Sequence, residues 1–379
     1  MRALRVAWDA QLGGRNQTGT GVYATQLLSH LRESGSLDVR VVEGWRPARW
    51  RGGIAGRVAR TLMELGWTHA ALPVAVKRID ADVLHAPAFV APLWGNRPVV
   101  VTIHDTLYHR YPEQYAGWWR RYMNLVMPRV VARAAAVIVG SNHAKKDLVR
   151  DYCADPARIH VVYYGVDHDR FRPTPGPHPD PALRQYGIRC DYVLHVGALV
   201  TRKNIPLLLE SVARLKSRGQ WGEHQIVLAG KPAPGMPGAD AIHAAVTRFG
   251  LTHDVVFLGH VPDRLLPALY AGARMLAFPS RYEGFGFPLI EAMACGTPVV
   301  AASGSSVTEV VAGAGQLVQV NDVEALAGAL NQVLTDPLTR ERLRARGLAR
   351  AAEFTWERTA QQTAAVYQQV VAESRATWS

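Results

Sequence analysis

The residues best suited to chemistry stand in one short run, Arg281-Tyr282-Glu283-Gly284-Phe285-Gly286-Phe287-Pro288-Leu289-Ile290-Glu291. The apolar stretch Met275–Phe278 before it reads as a buried strand, and Pro288 marks the first turn of a helix, where a missing N–H costs nothing. The start of such a helix offers free backbone N–H groups and a partial positive charge, which suit an anion. Gly284 and Gly286 let the backbone come close to a ligand. Glu283 in the loop and Glu291 in the expected first turn are carboxylates able to accept hydrogen bonds from vicinal hydroxyls of a sugar or a ribose. Glu291 has a plainer alternative, as an acid complementing the helix dipole.

A second run, Gly197-Ala198-Leu199-Val200-Thr201-Arg202-Lys203-Asn204, follows the expected strand Tyr192–Val196. A glycine at a strand end followed by two adjacent cations suits a diphosphate, Arg202 as a fork and Lys203 as a point charge. Alone, the pair reads as a solvated basic loop, the usual fate of an Arg-Lys pair; opposite the glycine loop it reads as the other half of a phosphate site. Thr102-Ile103-His104-Asp105 ends another strand. His104 there either positions a sugar or serves as acid and base, or is simply a hydrogen-bonded histidine at a buried strand end. Gly19-Thr20-Gly21-Val22-Tyr23-Ala24 matches a dinucleotide fingerprint by letter, with Glu43 about twenty residues on. Asp9–Thr18 separates it from the first strand, so a glycine loop touching phosphate or acceptor is the better reading. Asp80-Ala81-Asp82 has the letters of a metal-holding acid pair, but it precedes the strand Val83–His85 and reads as a solvated loop.

Short apolar runs supply the strands that position these residues: Leu4–Trp8, Val39–Val42, Val83–His85, Val99–Ile103, Ala136–Val139 and Ile159–Val162, then Tyr192–Val196, Gln225–Ala229, Val255–Leu258, Met275–Phe278 and Pro298–Ala301. Helical spacing over Gly21–Leu31, Ile205–Arg218, Val323–Thr335 and Trp356–Glu373 alternates with them. Alternation of this kind predicts parallel, doubly wound sheets. Phe171–Pro181 carries five prolines in eleven residues and is the expected linker. The fold class is therefore α/β, with two Rossmann-like domains facing a central cleft: residues 1–174, then 175–355. Ligands in such sheets lie outside the carboxyl ends of the strands, which is where the runs above fall.

Composition narrows the partners. The net charge is +12, with 24 Lys+Arg against 14 Asp+Glu up to Thr174 and 19 against 17 beyond it. A basic first half points to an anionic partner. Between Trp45 and Arg78, Arg46, Arg49, Arg51, Arg57, Arg60, Lys77 and Arg78 stand against the single acid Glu64, interleaved with Trp45, Trp50, Ile54, Val58, Leu62, Leu65 and Trp67. That mixture suits an acidic membrane surface, or an ordinary surface helix of a basic protein. No apolar run approaches the ~20 residues of a membrane span. Cys153, Cys190 and Cys295 form neither a disulfide framework nor a metal-ligand spacing, so a cytoplasmic location is expected, peripheral to the inner face of the membrane.

Taken together, the motifs resemble family 4 glycosyltransferases of the GT-B fold, and in particular bacterial mannosyltransferase-like members of O-antigen and exopolysaccharide synthesis. The resemblance rests on Gly19-Thr20-Gly21-Val22-Tyr23, His104-Asp105-Thr106, Gly140-Ser141, Gly165-Val166-Asp167, Val196-Gly197-Ala198, Arg202-Lys203-Asn204, Leu258-Gly259-His260-Val261, and Pro279-Ser280 through Glu283 and Glu291 to Gly296-Thr297-Pro298. It implies that Arg202 and Lys203 hold the donor diphosphate, beside Gly197. It implies that Glu283 contacts the transferred sugar and Glu291 the ribose, while Gly284, Phe285 and Gly286 present backbone N–H groups and Val261 meets the base. His104 would stand near the reacting sugar, and Gly21 would approach the phosphate from the acceptor-binding first domain. The last helix, 356–379, would pack back on that domain. Ala198 departs from the pattern, since many members carry an arginine there, and this throws more of the diphosphate charge onto Arg202.

The resemblance further implies retention of anomeric configuration, no metal and no cofactor beyond a nucleotide-sugar co-substrate. GDP-mannose is the expected donor and a glycan or lipid-linked hydroxyl the expected acceptor. A sugar-nucleotide epimerase or phosphorylase on the same fold is the enzymatic alternative. A nucleic-acid-binding protein is the other, and the gathering of strand-end loops at one cleft speaks against it.

Overall fold

The computed structural model describes residues 2–13, 19–44, 63–174, 181–232 and 237–376. The chain forms two compact units, one of Met1–Pro112, Gly117–Gly165 and Trp356–Ser379, the other of Glu113–Ala116 and Val166–Thr355.

The first unit is built on β1 (Leu4–Asp9), β2 (Leu37–Val42), β3 (Val83–Ala86), β4 (Val99–Thr102), β5 (Ala136–Val139) and β6 (Ile159–Val161). They form one sheet in the order β2-β1-β3-β4-β5-β6, with every neighbouring pair parallel. β3, β4 and β5 are buried at all their positions. This is why they read as largely apolar runs rather than alternating ones, with His85 and Thr102 as their buried polar members. The helix Gly19–Glu33 begins two residues earlier than the apolar spacing predicts, so Gly21 lies within its first turn and is buried. The helix Trp356–Ala376 buries Trp356, Thr359, Ala360, Thr363, Val366, Tyr367, Val370 and Val371, a stripe at helical spacing. The Thr359 hydroxyl donates to the Tyr163 carbonyl at 2.8 Å, which ties that helix to the first unit.

The second unit holds β7 (Tyr192–Val196), β8 (Gln225–Ala229), β9 (Val255–Gly259), β10 (Met275–Phe278), β11 (Val299–Ser303) and β12 (Gln316–Gln319). Their order is β12-β11-β10-β7-β8-β9, again parallel throughout. The strand order reverses between β7 and β10. β12 is an edge strand that the apolar pattern misses, because glutamine stands at both of its ends. The arginine-rich helix Pro337–Ala351 also lacks a strong apolar stripe in sequence; Asp336 caps its start by accepting from the Leu338 N–H at 3.0 Å.

The change from one unit to the next falls at Gly165, ahead of Thr174. The intervening residues pack on the second unit: the Val166 N–H donates to the Phe354 carbonyl at 3.1 Å, Arg170 donates to the Asp263 carbonyl at 2.5 Å, and the Phe171 and Tyr270 rings lie 6.0 Å apart. Residues 175–180 of the proline-rich stretch, and 45–62 of the basic aromatic stretch, lie outside the described residues.

Candidate functional site

A doubly wound sheet opens at the carboxyl ends of the strands where its order reverses. In the second unit those strands are β7 and β10, followed by Gly197 and by Pro279. Gly197 has φ +147°, a conformation L side chains rarely adopt, and a Cβ there would stand 3.1 Å from Lys203 Cε and 3.2 Å from Nζ. The backbone is bare at this point because the lysine side chain lies against it. Gly230, after β8, is closer still: its Cβ would fall 1.8 Å from the Gly197 carbonyl oxygen.

Thr201–Lys203 forms a tight turn that ends at Asn204 in the left-handed region, φ +55°, where the helix Ile205–Ser217 begins. This turn directs Lys203 inward. Its ammonium donates to Glu283 Oε1 at 2.7 Å and lies 4.6 Å from the centre of the Phe278 ring. Arg202 donates to the same oxygen at 3.0 Å and to the Tyr282 carbonyl at 3.2 Å. Lys203 and Glu283 are 5% and 7% exposed, so this is a desolvated cluster rather than a solvated basic loop. The Arg281 N–H, donating to the Arg202 carbonyl at 2.9 Å, closes the two loops on each other.

The charges tune one another. Burial pushes the Glu283 carboxyl up, but Arg202 and Lys203 overcome it and hold it at about 2. Burial lowers the Lys203 ammonium to about 8, against the pull of Glu283 and with the push of Arg202. Two cations sharing one carboxylate leave an excess of positive charge at the strand ends, which suits a polyanion.

The glycine loop is held by residues that local pattern did not single out. The Glu283 N–H donates to Ser305 Oγ, and Ser306 Oγ donates to the carbonyls of Glu283 and Phe285, each at 2.9 Å. Asn321 Oδ1 accepts from Asn204 Nδ2 and from Arg281 Nε, both at 3.1 Å. A serine pair opening a helix just past β11 is a start signal in sequence; Asn321 carried none. Phe285 is buried with its ring near Phe287 and Phe354, so its side chain belongs to the core. Gly284 is partly buried beside it. Gly286, φ +106°, starts the helix Phe287–Ala294, with Pro288 in its first turn.

Glu291 is the fifth residue of that helix, so it stands beyond the first turn that its spacing predicts, and the dipole explanation loses its basis. It accepts from the Tyr270 hydroxyl at 2.7 Å, and burial raises its pKa. Val261 follows β9 on the same carboxyl edge, two strands from β7.

In the first unit, His104 is buried just after β4. Its Nδ1 meets the Tyr164 hydroxyl at 2.8 Å and its Nε2 meets the Pro87 carbonyl at 3.0 Å. A carbonyl only accepts, so Nε2 carries the proton and Nδ1 accepts from the tyrosine. Burial lowers the ring to about 4. Both nitrogens are engaged in a neutral imidazole, an arrangement of a positioning group rather than of a free acid or base. Tyr23, from the glycine-led helix, packs its ring 5.0 Å from His104, and its hydroxyl meets Thr102 Oγ1 at 2.9 Å. Thr102 in turn meets His85 Nε2 at 2.8 Å, and His85 Nδ1 meets the Tyr367 hydroxyl. His85, Tyr164 and Tyr367 were not among the expected site residues.

Of the acid pair, Asp80 is solvent-exposed, as a solvated loop requires, while Asp82 is buried, and both are held by arginines. Asp82 is buried and accepts from the Arg5 N–H at 2.8 Å and from Arg2 at 3.0 Å; Asp80 pairs with Arg97 at 2.6 Å. Among the described residues, no three His, Cys, Asp or Glu are grouped to hold a metal ion.

The comparisons with known proteins agree with this architecture. Residues 18–170 match the domain described as Glycosyltransferase Family 4, and residues 189–350 the domain described as Glycosyl transferases group 1. The chain is 33% identical to O-antigen chain mannosyltransferase B of Escherichia coli over 75% of its own length and 74% of that protein's. Sucrose-phosphate synthase from Thermosynechococcus elongatus superposes with a TM-score of 0.78 at 22% identity, over 98% of this chain and 100% of that one. The Anabaena protein HepE, solved in complex with UDP and glucose, superposes with a TM-score of 0.71 at 21% identity, over 96% and 99%. Two parallel six-stranded sheets with flanking helices, matched in this way, make this a glycosyltransferase of the GT-B fold. The chain belongs to glycosyltransferase family 4.

Proposed function

We propose that the second unit binds a nucleotide sugar and that the enzyme transfers its hexose, with retention of anomeric configuration, to a glycan or lipid-linked hydroxyl in cell-surface polysaccharide synthesis. The observation that carries this reading is the buried Lys203–Glu283–Arg202 cluster at the carboxyl ends of β7 and β10. Arg202 and Lys203 take the donor diphosphate, beside the bare backbone of Gly197. Glu283 fixes hydroxyls of the sugar, and Glu291, oriented by Tyr270, takes the ribose. Backbone N–H groups of Gly284, Phe285 and Gly286 face the sugar and phosphate, and Val261 lies against the base. In the first unit, His104 and Gly21 keep the roles implied by the family, His104 as a neutral positioning group.

The chemistry is electrostatic. The bond from the anomeric carbon to the diphosphate oxygen breaks while the acceptor oxygen attacks from the same face. The acceptor proton passes to the departing diphosphate. Cations and helix-end N–H groups stabilise the charge that develops on the leaving group. No metal and no further cofactor is assigned a part.

GDP-mannose is the proposed donor, supported by the relative named an O-antigen chain mannosyltransferase. HepE holds UDP, so the base must be tested directly. Ligand binding raises the melting temperature by mass action. A thermal-shift series with GDP-mannose, UDP-glucose, dTDP-glucose and ADP-glucose should show the largest rise with GDP-mannose. A larger rise with another donor overturns the choice of sugar nucleotide, and no rise with any donor overturns the binding site.

A further inference from the structure

Seven large apolar residues stand exposed among the described residues, and four of them, Val74, Trp94, Trp118 and Leu125, belong to three segments of the first unit that are joined to each other. The Trp94 ring N–H donates to the His69 carbonyl, and His69 Nε2 meets the Tyr122 hydroxyl at 3.3 Å. Arg133 donates to the Gly95 carbonyl at 2.7 Å, and a Cβ on Gly95 would lie 3.6 Å from Pro73. The helix Gly117–Arg133 is the centre of this face.

The helix buries Met123, Val126, Met127, Val130 and Val131 and turns the opposite side to solvent. At about 100° per residue, Trp118, Leu125 and Arg129 fall within roughly 40° of one another, with Arg121 beside them. Trp118 is 56% exposed and Leu125 58%, and Arg121 and Arg129 are exposed. The helix sequence holds Arg120, Arg121, Arg129 and Arg133 and no acidic residue. The Trp118, Trp119 and Tyr122 rings form a chain with centroids 5.7 and 5.5 Å apart. Glu64 is the acid whose field reaches Tyr122. An exposed apolar row flanked by arginines matches a bilayer surface that offers acyl chains below and phosphates above.

We infer that this face, centred on Trp118, Arg121, Leu125 and Arg129, docks the enzyme on an anionic membrane. The inference moves the membrane contact away from Trp67. That ring is committed inward, its N–H donating to the buried Asp9 carboxylate at 3.1 Å. It deepens the proposed use of a lipid-linked acceptor, and its test reads lipid binding rather than sugar transfer, so the two fail separately.

The test is sedimentation of the full chain with vesicles of phosphatidylcholine, and of phosphatidylcholine mixed with phosphatidylglycerol. The expected result is binding to the mixed vesicles, weakened by salt. Arg121→Gln/Arg129→Gln should weaken it by about tenfold or more, since each basic residue near such a surface adds to the attraction. Trp118→Ala/Leu125→Ala should weaken it comparably, with the melting temperature of both variants close to wild type because the side chains are exposed. Absence of binding to the mixed vesicles, binding unchanged in both variants, or salt-sensitive binding to duplex DNA without binding to lipid overturns it.

Discussion

Lys203 and Glu283, eighty residues apart in sequence, meet at 2.7 Å with both side chains less than a tenth exposed, and Arg202 reaches the same carboxylate oxygen. Removing Glu283 leaves two cations without their match, at a cost of about 3–5 kcal/mol, whereas removing Lys203 leaves Glu283 paired with Arg202 and costs less. Lys203→Ala and Glu283→Gln should each lower kcat by ~10²-fold or more and each lower the melting temperature. The double variant Lys203→Met/Glu283→Gln should melt above Glu283→Gln, because it removes the buried ammonium left unmatched there, yet remain inactive. Near-wild-type turnover in a single variant would remove this cluster from the mechanism.

Lys203 carries a second prediction, because its ammonium is lowered by burial to about 8. Donor binding through its charge should weaken as pH rises through about 8. Stability moves the other way. The folded pKa lies below that of the unfolded chain, so between about 8 and the ordinary lysine value of ~10.4 the unfolded state holds more protons, and this group makes the fold more stable as pH rises. Donor affinity and urea midpoints measured across pH 7 to 10 should show the affinity loss in wild type and not in Lys203→Arg. A donor affinity that is flat across this range would refute the assignment.

The two glycines at the strand ends should fail differently. In Gly197→Ala the new methyl meets the far end of the Lys203 side chain at 3.1–3.2 Å and the backbone is strained at φ +147°. Folded protein with weakened donor affinity is expected, at a strain of about 1–3 kcal/mol. In Gly230→Ala the methyl would meet a backbone oxygen at 1.8 Å, which no side-chain movement relieves. Soluble yield and melting temperature should collapse there. Equal behaviour of the two variants would contradict the packing described.

Burial holds three histidines neutral: His85 at about 3, and His104 and His195 at about 4. Their unfolded values lie near ~6.5. Between there and about 4 the unfolded chain binds more protons, so stability falls as pH falls. Asp9, raised by burial to about 6, and Glu291, also raised by burial, work in the opposite sense as pH falls, but burial lowers His69, His160 and His224 as well, so the histidines outnumber them. Urea midpoints should drop on going from pH 7 to 5, and His85→Gln should make the drop shallower. A midpoint that holds steady or rises toward pH 5 would show that these rings are not buried neutral.

Much of the framework was legible without coordinates. Ala136–Val139, Tyr192–Val196, Gln225–Ala229 and Met275–Phe278 coincide with observed strands residue for residue, because a strand buried on both faces needs a predominantly apolar run. Gly197, Gly286 and Pro288 announced the loop and the helix start, since backbone conformation is a local property of the residue type. Gln316–Gln319 stayed hidden because an edge strand needs no such run.

What only the tertiary structure decided is who faces whom. Sequence presented Arg202-Lys203 by itself as a solvated loop, and only with the glycine loop opposite as a phosphate site; packing buried Lys203 and set Glu283 against both cations. It placed Glu291 at a helix start; packing gave it Tyr270 as a partner, twenty-one residues away. It left His104 open between a positioning or acid–base group and a hydrogen-bonded histidine at a buried strand end; Tyr164 and Pro87 take both its nitrogens. It counted Trp67 among surface aromatics; the ring turned to Asp9, and the helix of Trp118 and Leu125 kept the exposed face. Strand runs and turns depend on neighbours along the chain and are written in it. Hydrogen bonds, ion pairs and desolvation depend on neighbours in space, and those exist only once the chain has folded.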